Sequence, residues 1–469
     1  MEPPLTLILL EPTVPRPPDL RRRLVWAASL LLPACAHFPV NPPLERYDPA
    51  RPGYRFENLA CGVANTDSLL VCLSLSGGGT RAAALSYGAV RRLHETRIAQ
   101  GSRRLLDEVD IISASSGGAF AAAYLGLFGP RAFLDEFRDK VLLRDLGMEI
   151  FWRGTLCPYN AVRLCSPWWN RSELAAELYA ATIFGQDTYT HLQRRGRPYV
   201  VLNATDLSLG DRFEFTQDQF DLLGSSLTPV PIARAVAASS AFPFLLTPVA
   251  FANHPQPAGW KMPPRLEALL CPPEEDGAPL LRDSTRTRSE YLRALDQTRL
   301  LREKERRPWV HLTDAGVVDN LGLGFVVDSY RHGEIAQLLA SGRVSTLVFV
   351  VVNARSRPPD ETGASPRAPG VLEVLSSSLA AAIDKQGSET LRDLRARHAR
   401  ETERQGGGPS LHLIEVDLDD LADPALRERL MEVETTFALG PEVVEELIQA
   451  GDELLRRSPA FQSLLEQLR

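Results

Sequence analysis

Three short segments combine residue types that could carry out acyl transfer. Ser76-Gly77-Gly78-Gly79-Thr80-Arg81 follows the apolar run Leu69–Ser76 and opens a helix-like stretch reaching about Glu95. Three consecutive glycines there leave backbone N–H groups unobstructed at the positive end of a helix dipole, a nest for a phosphate or for the oxyanion of a tetrahedral intermediate. No Gly-Lys-Ser/Thr follows, so the loop is not a nucleotide-binding P-loop, and a plain tight turn is the competing reading. Ser113-Ala114-Ser115-Ser116-Gly117-Gly118 occupies a second strand-to-helix turn. Aligned from Ser113 to Gly117 with the nucleophile elbow G-x-S-x-G, it puts Ser115 at the centre and Ser113 where the first glycine belongs. A Ser/Gly turn of this kind can equally be structural. Thr313-Asp314-Ala315-Gly316 ends the strand-like run Trp309–Thr313. A carboxylate at the carboxyl end of a strand faces the crevice of an open α/β sheet, where Asp314 could accept the serine proton. N-capping the next turn is its alternative role.

The elements that must position these segments alternate. Strand-like runs fall at Leu69–Ser76, Glu108–Ser113, Tyr199–Asn203, Trp309–Thr313, Ser345–Asn353 and Leu411–Val416. Helix-like segments follow the first two, and others cover residues 289–305, 371–400 and the acidic end beyond Leu421. This order predicts an α/β sheet covered on both faces. Residues 251–308 read as an insertion, 355–370 as a polar Pro/Gly-rich loop, and 371–469 as a helical C-terminal part. With 44% hydrophobic and 24% charged residues among 469, the composition is that of a soluble globular protein. Lys+Arg 52 against Asp+Glu 59 gives a net charge of −7, which argues against a nucleic-acid binder.

The N-terminal region departs from this average. Arg21-Arg22-Arg23 precedes the apolar Leu24–Leu32, and Pro33-Ala34-Cys35 follows. This pattern predicts a bacterial export signal over residues 1–34, whose nine-residue apolar stretch is too short to span a bilayer, and a lipobox whose Cys35 would be acylated. The expected location is the cell envelope, with a membrane anchor at Cys35, or else secretion. Proline-rich residues 38–53 read as an extended tether within 35–56, ahead of a domain over 57–469. Among six cysteines no spacing suits zinc; Cys61 with Cys72, and Cys157 with Cys165, are near enough in sequence to bridge. Phe151-Trp152, Tyr159 and Trp168-Trp169 are expected to form an aromatic mini-core closed by a Cys157–Cys165 bridge, a lipid-facing surface being the alternative.

A glycine nest, a serine elbow and a strand-end aspartate in this order resemble the patatin-like phospholipase family over roughly residues 66–355. Gly77-Gly78-Gly79-Thr80-Arg81 matches its G-G-G-x-R/K loop, and Asp314-Ala315-Gly316 its D-G-G/A motif, continued by Val317 to Gly322. Leu202–Leu207 and Ala237–Pro243 resemble further family blocks. The resemblance implies a three-layer α/β/α fold with a mostly parallel central sheet. It also implies a Ser–Asp dyad without cofactor or metal, acting on phospholipids or related acyl esters. Ser115 would attack, Asp314 would act as base, and Gly77, Gly78 and Gly79 would hold the oxyanion. Arg81 would support the loop or meet substrate phosphate. Two rivals stand: a catalytically silent lipid-binding protein on the same fold, and a Ser-Asp-His esterase drawing on His332, His398 or His412, all of which follow Asp314.

Overall fold

The structure, a computed structural model, describes residues 36–98, 101–243, 245–270, 288–357, 370–403 and 408–469. The segment read as an export signal, residues 1–34, and Cys35 and Cys271 lie outside the described residues. Eight strands form the central sheet: β1 (Leu69–Leu75), β2 (Val109–Ala114), β3 (Tyr199–Asp206), β4 (Asp211–Glu214), β5 (Val249–Ala252), β6 (Trp309–Thr313), β7 (Thr346–Asn353) and β8 (Ser410–Asp417). Their order is β8-β7-β1-β2-β3-β6-β5, with β4 paired to β3 off this path. The run β8 to β3 is parallel, while β4, β5 and β6 pair antiparallel at the other end. β1, β2, β3 and β7 are buried along their whole length, which is why β1 and β7 read in the sequence as nearly continuous apolar runs and β2 and β3 as largely apolar ones. β4 (DRFE) offers no such run and β5 (VAFA) only four residues of one, and both escape the sequence reading.

Helices cover the sheet as expected of a mostly parallel α/β fold: α1 (Gly79–Glu95), α2 (Gly117–Phe137), α3 (Leu146–Leu156), α4 (Pro158–Arg163), α5 (Arg171–Tyr179), α6 (Ile232–Ser239), α7 (Val371–Glu403) and α8 (Pro441–Arg457) are the ones that matter below. α1 and α8 touch backbone to backbone. A Cβ on Gly88 would sit 2.0 Å from the Ile448 carbonyl oxygen, and one on Gly451 would sit 2.3 Å from that of Leu85. β1 is in register with both neighbours at its carboxyl end, Leu75 opposite Ala114 and Val352. The loops that leave β1, β2 and β7 therefore emerge side by side.

Two readings of the sequence need correction. The proline-rich stretch 38–53 is extended but docked rather than a free tether. Asn41 Nδ2 donates to Ser225 Oγ (2.9 Å) and the Ala252 carbonyl (3.0 Å), and the buried Arg55 pairs with Asp218 and Asp221. Each partner lies more than a hundred residues away in sequence, out of reach of a compositional argument. The insertion starts later than residue 251, because Phe251 and Ala252 belong to β5 and pair with β6.

Candidate active site

The sequence places two adjacent serines at the turn after β2, and the backbone decides between them. β2 runs through Ala114, so Ser113 is an interior strand residue, paired with Ser74 and Val201. Its hydroxyl accepts from Asn203 Nδ2 at 3.0 Å. The sharp turn comes at Ser116, which has φ 48° and ψ −115°. A non-glycine residue in this region is strained, and such strain at a strand-to-helix turn is the mark of a nucleophile elbow. Ser116 Oγ donates to Asp314 Oδ2 at 2.7 Å. Ser115 Oγ points the other way and donates to the Asp319 main-chain carbonyl at 2.6 Å.

The structure thus brings Ser116 to Asp314 and does not bring Ser115 there. The elbow reads one residue later than the sequence alignment had it, as Ala114-Ser115-Ser116-Gly117-Gly118. Both frames close on a glycine, Gly117 or Gly118, so the available signal was the first position, where this frame puts Ala114, smaller than Ser113. Close packing requires both glycines. A Cβ on Gly118 would lie 2.5 Å from the Leu75 carbonyl oxygen, and one on Gly117 would lie 2.1 Å from that of Gly79.

The same close approach sets the glycine loop against the elbow. Gly77 donates its N–H to the Asn320 carbonyl at 2.7 Å, so that donor is already engaged. Gly78 (φ 134°) and Gly79 (φ 60°) hold backbone angles that suit glycine, and among the described residues no acceptor takes either N–H. Of the three expected oxyanion donors, two remain available. Arg81 is buried: its Nε donates to the Ala354 carbonyl at 2.9 Å, while its Nη atoms reach the Val433 carbonyl and Thr435 Oγ1. Burial lowers its pKa to about 10, which leaves it charged at neutral pH. Its guanidinium is turned into the protein, bonded to the segments that pack on the glycine loop.

Asp314 is fixed by its surroundings. Its N–H donates to the Ala241 carbonyl and that of Ala315 to the Ser239 carbonyl, each at 3.0 Å. Ser239 Oγ also accepts the Ser116 N–H at 3.0 Å, so the carboxyl end of α6 and the residues just after it clamp both members of the pair. Sequence reasoning had assigned Ser239 no role. Burial pushes the Asp314 carboxyl up to about 6, against the hydrogen bonds from Ser116 Oγ and the Gly316 N–H that favour its charged form. A carboxylate with a pKa near neutrality, within hydrogen-bond reach of a hydroxyl, is a competent general base.

The hydrogen bonds of Ser116 and Asp314 involve no histidine. His398 Nε2 meets the Leu411 carbonyl (3.0 Å) and His412 Nε2 meets Gln467 Oε1 (2.8 Å), both on the β8 side of the sheet. The cysteine readings also change: Cys61, Cys72, Cys157 and Cys165 are all free thiols. Of the aromatic cluster only Trp169 is buried, with the Arg163 guanidinium over its ring at 3.6 Å.

A strained serine turn on a mostly parallel sheet thus carries a strand-end aspartate bonded to it and a glycine loop alongside. The chain belongs to the patatin-like phospholipase family, whose profile matches residues 73–327. Among solved structures it is similar to human GIVD cytosolic phospholipase A2 at 14% identity and TM-score 0.42, covering 96% of this chain and 63% of that one. It is also similar to VipD from Legionella pneumophila at 11% identity and TM-score 0.30, covering 92% of this chain and 71% of that one. The family match, not these likenesses, carries the assignment. A search among curated proteins finds no match.

Proposed function

We propose that the chain is a lipid acyl hydrolase that works through Ser116 and Asp314. The observation that carries this reading is the 2.7 Å hydrogen bond from Ser116 Oγ to Asp314 Oδ2 at a turn with φ 48°. Ser116 Oγ attacks the ester carbonyl carbon as its proton passes to Asp314. The oxyanion is received by the N–H groups of Gly78 and Gly79. Collapse of the tetrahedral species expels the alcohol portion, which takes the proton from Asp314 and leaves an acyl-serine. Water, deprotonated by Asp314, then attacks that ester, releasing the fatty acid and restoring Ser116.

Membership of the patatin-like phospholipase family favours phospholipids as the acyl esters used. In the same reading, the segment Arg21 to Cys35 directs export and supplies a lipidated Cys35, which keeps the enzyme at the cell envelope beside that substrate. Incubating the purified chain with mixed phospholipids tests the activity. Free fatty acid should accumulate with the chain and not with its Ser116→Ala variant. Equal release from both would remove the proposal.

A further inference from the structure

The helix α3 carries two apolar stripes. Leu146, Ile150 and Gly154 face the core, whereas Met148, Phe151, Trp152 and Leu156 face outward at i, i+3, i+4 and i+8. Phe151 is 54% exposed, Trp152 48%, Leu156 69%, Tyr159 on α4 70% and Trp168 49%. Single exposed apolar side chains are ordinary, but several on neighbouring elements, with the Phe151 and Trp152 rings 5.1 Å apart, mark an interaction site. Between residues 150 and 172 the chain holds Arg153, Arg163 and Arg171 and no Asp or Glu, although the whole chain has a net charge of −7. Arg163 is paired with Glu177, whereas Arg153 and Arg171 have no ion-pair partner among the described residues.

Two further observations say what this surface faces. The first is where the chain enters: Ser166 Oγ donates to the Ala36 carbonyl at 2.7 Å, and the Phe38 N–H donates to the Trp168 carbonyl at 2.9 Å. Residue 35, the cysteine with the lipobox pattern, is therefore followed at once by chain fixed to the aromatic patch, with no free tether between. The second is its relation to the site. Asn170 Nδ2 donates to the Pro248 carbonyl and Ser172 Oγ to that of Thr247, close in sequence to the Ser239–Ala241 clamp on Asp314. At the other end of α3, a Cβ on Gly147 would touch Phe437, next to the Thr436 carbonyl that accepts the Thr80 N–H at the glycine loop.

We propose that the surface formed by Met148, Phe151, Trp152, Leu156, Tyr159 and Trp168 docks the protein on a lipid bilayer with anionic head groups. The aromatic rings enter the interface, and Arg153 and Arg171 meet lipid phosphates. This adds the orientation of the enzyme on its substrate surface and rests on the proposed lipid acyl hydrolase activity only for its purpose, not for the binding itself.

The test separates the two. The full chain carrying Cys35→Ser and Ser116→Ala, which can neither be acylated at Cys35 nor turn over lipid, is sedimented with vesicles of phosphatidylcholine and phosphatidylglycerol in equal parts. It should bind, less so to phosphatidylcholine alone. Adding Phe151→Ser and Trp152→Ser should lower partitioning at least about tenfold. With Ser116 intact, the Phe151→Ser/Trp152→Ser variant should lose hydrolysis of vesicle lipid yet keep its rate on a soluble short-chain ester within about twofold. Binding that ignores the aromatic substitutions would overturn the proposal. So would a parent that does not bind, the outcome expected if residues 1–35 cover the patch, or a parent dimer that the substitutions dissociate. A chain that binds vesicles through the patch but hydrolyses no ester would defeat the activity and leave the docking surface standing.

Discussion

Ser116→Ala is expected to abolish ester hydrolysis, lowering kcat/KM by about 10⁴-fold or more, as loss of the nucleophile does in other serine hydrolases. Only one hydroxyl is removed, and its one partner among the described residues is Asp314 Oδ2, so the fold should persist with an unchanged circular-dichroism spectrum. Ser115→Ala is the contrast. That side chain bonds the Asp319 carbonyl behind the turn, and its loss should cost a buried hydrogen bond of about 1 kcal/mol and activity within about tenfold. Kinetics of the two variants on one soluble ester check both statements. A dead Ser115→Ala with an active Ser116→Ala would reverse the assignment.

Asp314→Asn should be nearly as damaging, since an amide cannot take the serine proton. In the unsubstituted chain, kcat/KM should rise with pH through about 6 and level off above it, because the base works only when ionised. The stability consequence has the opposite sign. Burial holds the folded-state pKa above the usual carboxylate value of about 3.9, so the unfolded chain gives up this proton first. Ionised Asp314 therefore costs the fold free energy, a penalty absent below about pH 4 and fully present above about pH 6. Asp314→Asn should leave Tm at neutral pH unchanged or higher while activity disappears. A flat pH–rate profile from pH 5 to 7, or a collapse of Tm in the variant, would count against Asp314 as a strained buried base.

The sheet was legible because its central strands are buried on both faces. Leu69–Leu75 and Thr346–Asn353 are apolar runs that could hardly be anything else. Trp309–Thr313 and its following Asp314 were legible for another reason: a short strand-like run that stops at Asp-Ala-Gly marks a strand end. The frame of the elbow was not. Ser115 and Ser116 are identical in chemistry, and what separates them is the φ of a single residue, set by how Gly117 and Gly118 press on the backbone of the β1 loop. The proline-rich stretch misled for another reason: its composition favours extended chain, and only long-range bonds from Asn41 and Arg55 reveal that it is docked. The aromatic segment misled too, since a Cys157–Cys165 bridge would have made Phe151 and Trp152 a small core. With free thiols they face outward instead.

The central claim is that Ser116, and not its neighbour, is the activated nucleophile. An alkyl fluorophosphonate reports this directly, because an activated serine displaces fluoride and keeps the phosphonyl group on its oxygen. Peptide fragmentation after labelling should place one adduct on Ser116. The adduct should survive Ser115→Ala, vanish in Ser116→Ala, and form more slowly below about pH 6, where Asp314 is protonated. An adduct on Ser115, or one that persists in Ser116→Ala, would contradict the account.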